Sequence, residues 1–331
     1  MFDPALQGHG SLRRRLRERL EAGRLPGSLL LTGPEAIGKR RVALELAQRE
    51  LCLRRTACGA CEGCRPFREE PLPVELPNLL RIAPEGKAGL IRISAIREDD
   101  LVEGGVIRWA HQAPPPRCHR WILVEDAHRL NGASANMLLK TLEEPPAGTH
   151  FLLVTHRPEA VLQTIRSRCE RIACAPLAPE EAWAVARAQG WEEAERPRWT
   201  ALAGGTLRVL DPALFARECD QVEAWIALAG GAPLAEAAGP LLPEKGEVAQ
   251  SEQLARALEL LLRVLADLAR LAGGSAPRLE PWRPELEALA GRGLDLKAAQ
   301  EAACEALRSL PRNPAAEGLL RAVVQSFRRC A

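Results

Sequence analysis

Tyrosine is absent from this 331-residue chain, methionine occurs twice, and 5 lysines stand against 40 arginines. With abundant Ala, Leu and Pro, this bias reflects GC-rich coding and carries little mechanism. No apolar run is long enough to cross a bilayer, for which about 20 residues are needed, and the N-terminal MFDPALQGHGSLRRRLRERL lacks the apolar centre of an export signal. A cytoplasmic protein without a membrane partner is therefore expected. Charge excess is missing too: 45 basic against 43 acidic side chains leave a net charge of +2. That excludes a strongly polycationic nucleic-acid binder and leaves local basic patches open. Without an export signal, the ten cysteines point to thiols or metal ligands rather than disulfides.

What is present divides by pattern, and the length itself predicts two or three domains. Residues 1–175 alternate short apolar runs with helical periodicity. Ser11 is expected to cap a helix carrying Leu12, Leu16 and Leu20 on one face, and GSLLLTG, NLLRIAP, RWILVEDAH, THFLLVTH and ERIACAPL read as strands. RRVALELAQREL, GASANMLLKTLEEP and PEAVLQTIRSRC read as helices between them. Continuous rather than alternating apolar strands predict a parallel sheet covered on both faces, an α/β fold. From residue 176 the strand signals vanish: residues 176–212 predict a small helical unit, and 213–331 a further helical domain with Leu254, Leu258, Leu261, Leu262, Leu265 and Leu268 on one helix face.

The stretch LLLTGPEAIGKRRVALELA places Gly33, Gly38 and Lys39 at the offsets of a phosphate-binding loop, after a strand and before a helix. Such a loop aims backbone amides and a lysine at phosphates and places a Ser or Thr on magnesium. An ordinary strand-to-helix turn with a surface lysine is the alternative. Arg40 stands where the hydroxyl belongs, and a guanidinium cannot coordinate a cation. The acidic pair expected at the end of a neighbouring strand is also reversed, as Glu125 then Asp126. Two departures at two catalytic positions argue against intrinsic ATP hydrolysis and leave nucleotide binding without turnover open.

Cys52, Cys58, Cys61 and Cys64 follow C-x5-C-x2-C-x2-C within residues 52–64. Four thiolates close a tetrahedral structural site for one zinc per chain, with Gly59 and Gly63 allowing tight turns between ligands. Because the segment is too short for an apolar core, the metal would supply its folding energy; free or redox-active thiols are the alternative. Cys118, Cys169, Cys174, Cys219, Cys304 and Cys330 show no ligand spacing. In QTIRSRCERI, Arg166 and Arg168 lie between a helix and the last strand, where an outward arginine can reach a phosphate on an adjacent subunit, a solvated surface arginine being the alternative.

Taken in order, the loop, the cysteine cluster, VEDAHRLNGASANMLLKTLEEPP and TIRSRC resemble the clamp-loader subunits of the bacterial DNA polymerase III holoenzyme, of the AAA+ class. The resemblance is close over the first domain and architectural beyond it. It implies a P-loop AAA+ domain over 1–175 with a zinc-binding insertion at 52–64, a helical lid over 176–212 and an all-α collar over 213–331 that holds subunits in a ring. It implies that Arg168 is an arginine finger for a neighbouring gamma/tau motor subunit, that Thr155 occupies the sensor position after a strand, and that Arg208 is the lid's sensor arginine. The implied partners are gamma/tau and delta subunits, with the sliding clamp and primer-template DNA met through the assembly. A gamma/tau-type motor ATPase, a zinc-containing nucleic-acid module using Arg13, Arg14, Arg15 and Arg17, and a purely structural collar protein are the competing readings.

Overall fold

The apolar runs become strands whose successive side chains enter different cores, which is why they read as continuous rather than alternating. The computed structural model describes residues 8–69, 71–84, 91, 105–243, 250–310 and 315–327; Cys330 lies outside them. The chain packs as two units, Met1–Ala188 with Gly205–Arg208, and Gln189–Gly204 with Val209–Ala331. Residues 176–212 are thus shared between the two.

The first unit runs α1 (Gly10–Glu21), β1 (Ser28–Thr32), α2 (Lys39–Leu51), β2 (Glu75–Leu76), β3 (Leu79–Ile82), α3 (Gly105–His111) and β4 (Arg120–Val124). It continues with α4 (Gly132–Glu143), β5 (Thr149–Thr155), α5 (Gln163–Arg166), β6 (Glu170–Ala173) and α6 (Pro179–Ala188). The strand order is β2-β3-β4-β5-β1-β6. All neighbours are parallel except β2 and β3, which pair antiparallel at the edge. The expected parallel sheet flanked by helices is therefore present, corrected at that edge: β2 is two residues long and joined to β3 by a tight turn, too short to leave a periodic signal.

One core joins Leu30, Leu80, Ile122 and Phe151 to Trp109, Leu138, Leu142 and Ile165. The other joins Leu29, Leu31, Trp121, Leu123 and Leu152 to Leu12, Leu16, Val42, Ala43 and Leu46. Helices α1 and α2 therefore cover one face of the sheet, and α3, α4 and α5 the opposite face. Two local expectations need correction. Ser11 lies inside α1, whose N-cap is His9 in a left-handed conformation at φ 57°; the His9 ring bonds instead to the Ile37 carbonyl at 2.8 Å. PEAVLQTIRSRC is not one helix: a 3-10 turn at Pro158–Ala160 precedes the four-residue α5. Val161 and Ile165 are both buried, and an extended Val161–Leu162 step separates the two pieces.

Helices build the second unit: α7 (Arg196–Ala203), α8 (Pro212–Ala229), α9 (Leu234–Ala237), α10 (Gln250–Ala272), α11 (Arg283–Ala290), α12 (Leu296–Ser309) and α13 (Ala316–Ser326). The predicted leucine stripe of α10 is buried at Leu254, Leu258, Leu261, Leu265 and Leu268, with Leu262 half-buried at its margin. Trp199, Trp225 and Trp282 fill the interior; the Trp225 indole donates to the Ala257 carbonyl at 2.7 Å. Polar anchors are satisfied in pairs. Asp267 accepts the amides of Arg278 and Leu279 at 2.9 and 2.7 Å. Fully buried Glu218 takes both arms of Arg256 at 2.8 Å, tying α8 to α10.

Removing one partner of a buried pair leaves the other charge without compensation, at a cost of about 3–5 kcal/mol. Glu218→Ala should therefore lose about that much stability in denaturant titrations, with Glu218→Gln losing less. A loss near zero for Glu218→Ala would show that the pair contributes nothing to the second unit.

Candidate functional site

Parallel strands bring their carboxyl ends to one sheet edge, and open α/β sheets place ligands there. Strand β1 ends at Thr32 and runs through Gly33–Gly38 into α2. Gly33 has φ 147° and a Cβ there would fall 2.2 Å from the Cys174 carbonyl oxygen, so no other residue fits. Ala36 and Gly38 take left-handed conformations at φ 54° and 90°. The loop thus folds as a tight turn opening onto a helix N-terminus, the geometry of an anion cradle. Lys39, however, donates to its own loop at the carbonyls of Gly33 (2.9 Å) and Pro34. Burial also holds its amine below the usual lysine range.

Arg40 Nε lies 2.8 Å from Glu125 Oε1, and Arg81 Nε lies 2.8 Å from the same oxygen. Arg40, at the first turn of α2, and Arg81, on β3, therefore share one carboxylate at the end of β4. Asp126, next in the chain, adopts φ 47°, turning the backbone away from β4. Its carboxylate stands 3.5 Å from His156 Nδ1 and 3.9 Å from Arg129 Nε. The buried Thr155 hydroxyl accepts from the Arg157 amide at 3.0 Å and lies 3.1 Å from His128 Nδ1. Burial, reinforced by the facing His156, pushes the His128 imidazole down to about 4. Arg208 reaches Glu35 of the loop at 3.6 Å, and the Leu207 amide donates to the Ala36 carbonyl at 2.6 Å. Gly33, Gly38, Lys39, Arg40, Glu125, Asp126, Thr155 and Arg208 thus gather around one sheet edge. Glu35, Gly38, Lys39, Arg40, Asp126 and His156 line a cleft there.

Sequence reasoning missed Arg81, His128 and His156. The two histidines were visible in outline: VEDAH and LLVTH end on His, and β4 and β5 are neighbours in register, Val124 opposite Leu153. Arg81 left no signal, because its meeting with Glu125 depends on the β3–β4 pairing.

The cysteine segment continues from α2. The sulfurs of Cys52, Cys58, Cys61 and Cys64 all lie within 4.8 Å of one another, Cys52 being 3.6 Å from Cys58 and 3.9 Å from Cys61. A tetrahedron with metal–sulfur bonds of about 2.3 Å has edges of about 3.8 Å, so these four residues fit a metal that takes four sulfurs. Burial acts to raise the Cys52 thiol, but the amides of Cys58, Thr56 and Arg54 outweigh it and bring it down to about 5. Burial pushes Cys64 up to about 12. Gly59 turns at φ 68°, and Gly63 is needed for approach: a Cβ there would meet the Leu51 carbonyl oxygen at 1.9 Å. Outside the cluster Cys169, Cys174 and Cys219 are buried, whereas Cys118 and Cys304 are partly exposed.

Arg168 follows α5. Its Nε donates to Glu143 at 2.9 Å and its Nη1 to the Thr164 carbonyl at 3.2 Å, with the side chain 30% exposed. Neighbouring Ile165 and Cys169 are packed in the core that α4 shares, on the sheet face opposite α2. Arg168 is thereby carried away from the helix that begins at its own loop.

Residues 8–178, just over half the chain, match the family described as DNA polymerase III, delta subunit. The chain belongs to that family. It is 39% identical over 181 residues to the DNA polymerase III subunit delta' of Pseudomonas aeruginosa, covering 54% of this chain and 52% of that protein. It is 35% identical over 170 residues to the subunit delta' of Escherichia coli, covering 50% and 46%. The gamma/tau subunit of Mycobacterium tuberculosis is 34% identical over 153 residues, covering 45% of this chain and 24% of that protein. The chain thus spans about half the length of the delta' relatives it matches. Among the described residues no helix is long and apolar enough to cross a membrane.

A bound metal would hold residues 52–64 in place, since they carry no apolar core of their own. Treating the chain with a strong chelator should expose the Arg54–Arg55 segment to trypsin while both units stay folded by circular dichroism, and Cys64→Ser should behave like chelated wild type. Equal resistance with and without chelator would show that the cysteines hold no structural ion.

Proposed function

We propose that the chain is a delta prime-type clamp-loader subunit: it helps load a sliding clamp onto primed DNA, does not turn over ATP, and lends Arg168 to a neighbouring gamma/tau subunit. The contact of Arg40 with Glu125 carries this reading. A site whose magnesium ligands are replaced and neutralised by guanidinium groups is unsuited to hydrolysis, while a clamp loader still needs a subunit that completes the next protomer's site. Arg168 suits that task because it projects from the sheet face opposite α2 and is partly exposed. Its bond to Glu143 orients the guanidinium until a phosphate replaces the carboxylate, and a bidentate donor serves either anion.

Within this proposal, residues 1–175 form the AAA+ domain, 176–212 the lid and 213–331 the collar. Gamma/tau and delta are the partners, with clamp and primer-template DNA engaged through the complex. The four-cysteine site takes one structural zinc per chain, since soft thiolates and tetrahedral closure favour that ion. A second reading, nucleotide held without turnover, is favoured by a largely apolar cleft beside α2, lined by His9, Ile37, Val42, Leu177, Val185 and Leu207. The competing motor-ATPase reading is separated from both by phosphate release from the isolated chain.

Reconstitution with gamma/tau and delta subunits tests the central claim. Arg168→Ala should lower DNA-stimulated ATPase by about tenfold at the site it serves, an arginine finger being worth at least that, with assembly by gel filtration unchanged. The isolated wild-type chain should release no phosphate above background, and Arg40→Ser should not restore turnover because Arg81 still holds Glu125. An unchanged rate for Arg168→Ala in an intact complex would remove the trans-acting role; vigorous hydrolysis by the isolated chain would remove the degenerate-site reading.

A further inference from the structure

We infer that Asp126, His128 and His156 form a second metal site, distinct from the cysteine cluster and built for a borderline divalent ion such as zinc rather than for magnesium. Each residue offers one ligand atom, and the three atoms lie within 4.8 Å of one another. Two imidazoles and one carboxylate on a single side of an ion make a three-ligand set that leaves positions open, and imidazole nitrogen selects zinc, cobalt or nickel over magnesium.

The backbone explains how the three converge. β4 and β5 are parallel neighbours, so the turn after one meets the end of the other. Asp126 leaves β4 with φ 47°, which swings the following turn toward β5 and presents Asp126 Oδ1 3.5 Å from His156 Nδ1. The two imidazole rings meet edge to face at 4.5 Å between centroids, 75° apart. His128 also has the support a metal-binding histidine requires: Nδ1 lies 3.1 Å from the hydroxyl of buried Thr155, which fixes the ring and leaves the other nitrogen for coordination.

The surroundings set what the ion would do. Arg129 Nε stands 3.9 Å from Asp126 Oδ2, a long contact for an ion pair, and Lys39 is turned onto the carbonyls of Gly33 and Pro34. Asp126 and His156 open onto the cleft lined by Gly38, Lys39 and Arg40. An ion held there would staple the end of β5 to the turn after β4 and turn its open positions toward that cleft, where an oxygen ligand such as a phosphate would complete its shell. The site is separate from magnesium binding through Glu125, which is taken by Arg40 and Arg81.

Zinc titration of the full chain tests this, using a chromophoric chelator as competitor after dialysis has left only firmly held metal. Wild type should take up one further Zn2+ and melt at a higher temperature with it, as any ligand confined to the folded state requires. His156→Ala and Asp126→Asn should each weaken that uptake by at least about tenfold and abolish the rise in melting temperature. Cys64→Ser should leave this uptake intact, which separates it from the thiolate site. No uptake by wild type beyond the dialysed content, or uptake unchanged in both variants, would overturn the site. Asp126→Asn, in a partly exposed turn, keeps the comparison valid if His156→Ala unfolds.

Discussion

Two guanidinium groups close on one carboxylate at the carboxyl end of β4, and the rest of the site follows from that contact. Arg40 and Arg81 both reach Glu125 Oε1 at 2.8 Å, and the acid is only 17% exposed. In so enclosed a position a lone carboxylate is costly, and pairing offsets its desolvation. With Glu125 engaged, Lys39 bonds to its own loop, and the fold keeps the shape of a phosphate cradle. The loop backbone, including the close approach of Gly33 to Cys174, does not depend on whether the pocket works as an enzyme.

Much of this was legible in the chain because it depends on local pattern. Leu29 to Leu31 and Ile122 to Val124 read as buried strands, since their side chains serve two cores rather than a core and a wet face. The stripe of α10 and the order loop, cysteines, TIRSRC were likewise present as spacing. The antiparallel β2 was not legible, being two residues with no period. Neither was the break at Leu162, because the apolar spacing of Val161 and Ile165 suits a single helix as well as a short turn followed by α5. The cap of α1 misled for a related reason: Ser11 has the right chemistry, but the ring of His9 anchors the start of the helix to Ile37 instead.

At the site, residues adjacent in sequence were easier to find than residues made adjacent by the sheet. Gly33, Gly38, Lys39 and Arg40 form one stretch, and the four cysteines another. Arg81 lies on β3, His128 in the turn after β4 and His156 just past β5, and only the order β3-β4-β5 gives each its neighbours from another strand. Glu143, which holds Arg168, likewise depends on α4 lying beside α5. The cysteine cluster adds a further constraint through geometry alone: Gly63 lies so close to the Leu51 carbonyl that the turn is pressed against the end of α2. The cysteine segment is thereby anchored to the helix that follows the Gly33–Gly38 loop.

The pairing of Arg40 with Glu125 also fixes how this pocket responds to its ionic surroundings. A dication at such a site is a mobile counterion, whose occupancy follows its concentration in the cell. A guanidinium attached to the backbone of α2 is a counterion that cannot diffuse away. The charge that balances Glu125 is therefore supplied by the chain's own covalent structure and not by a diffusible ion.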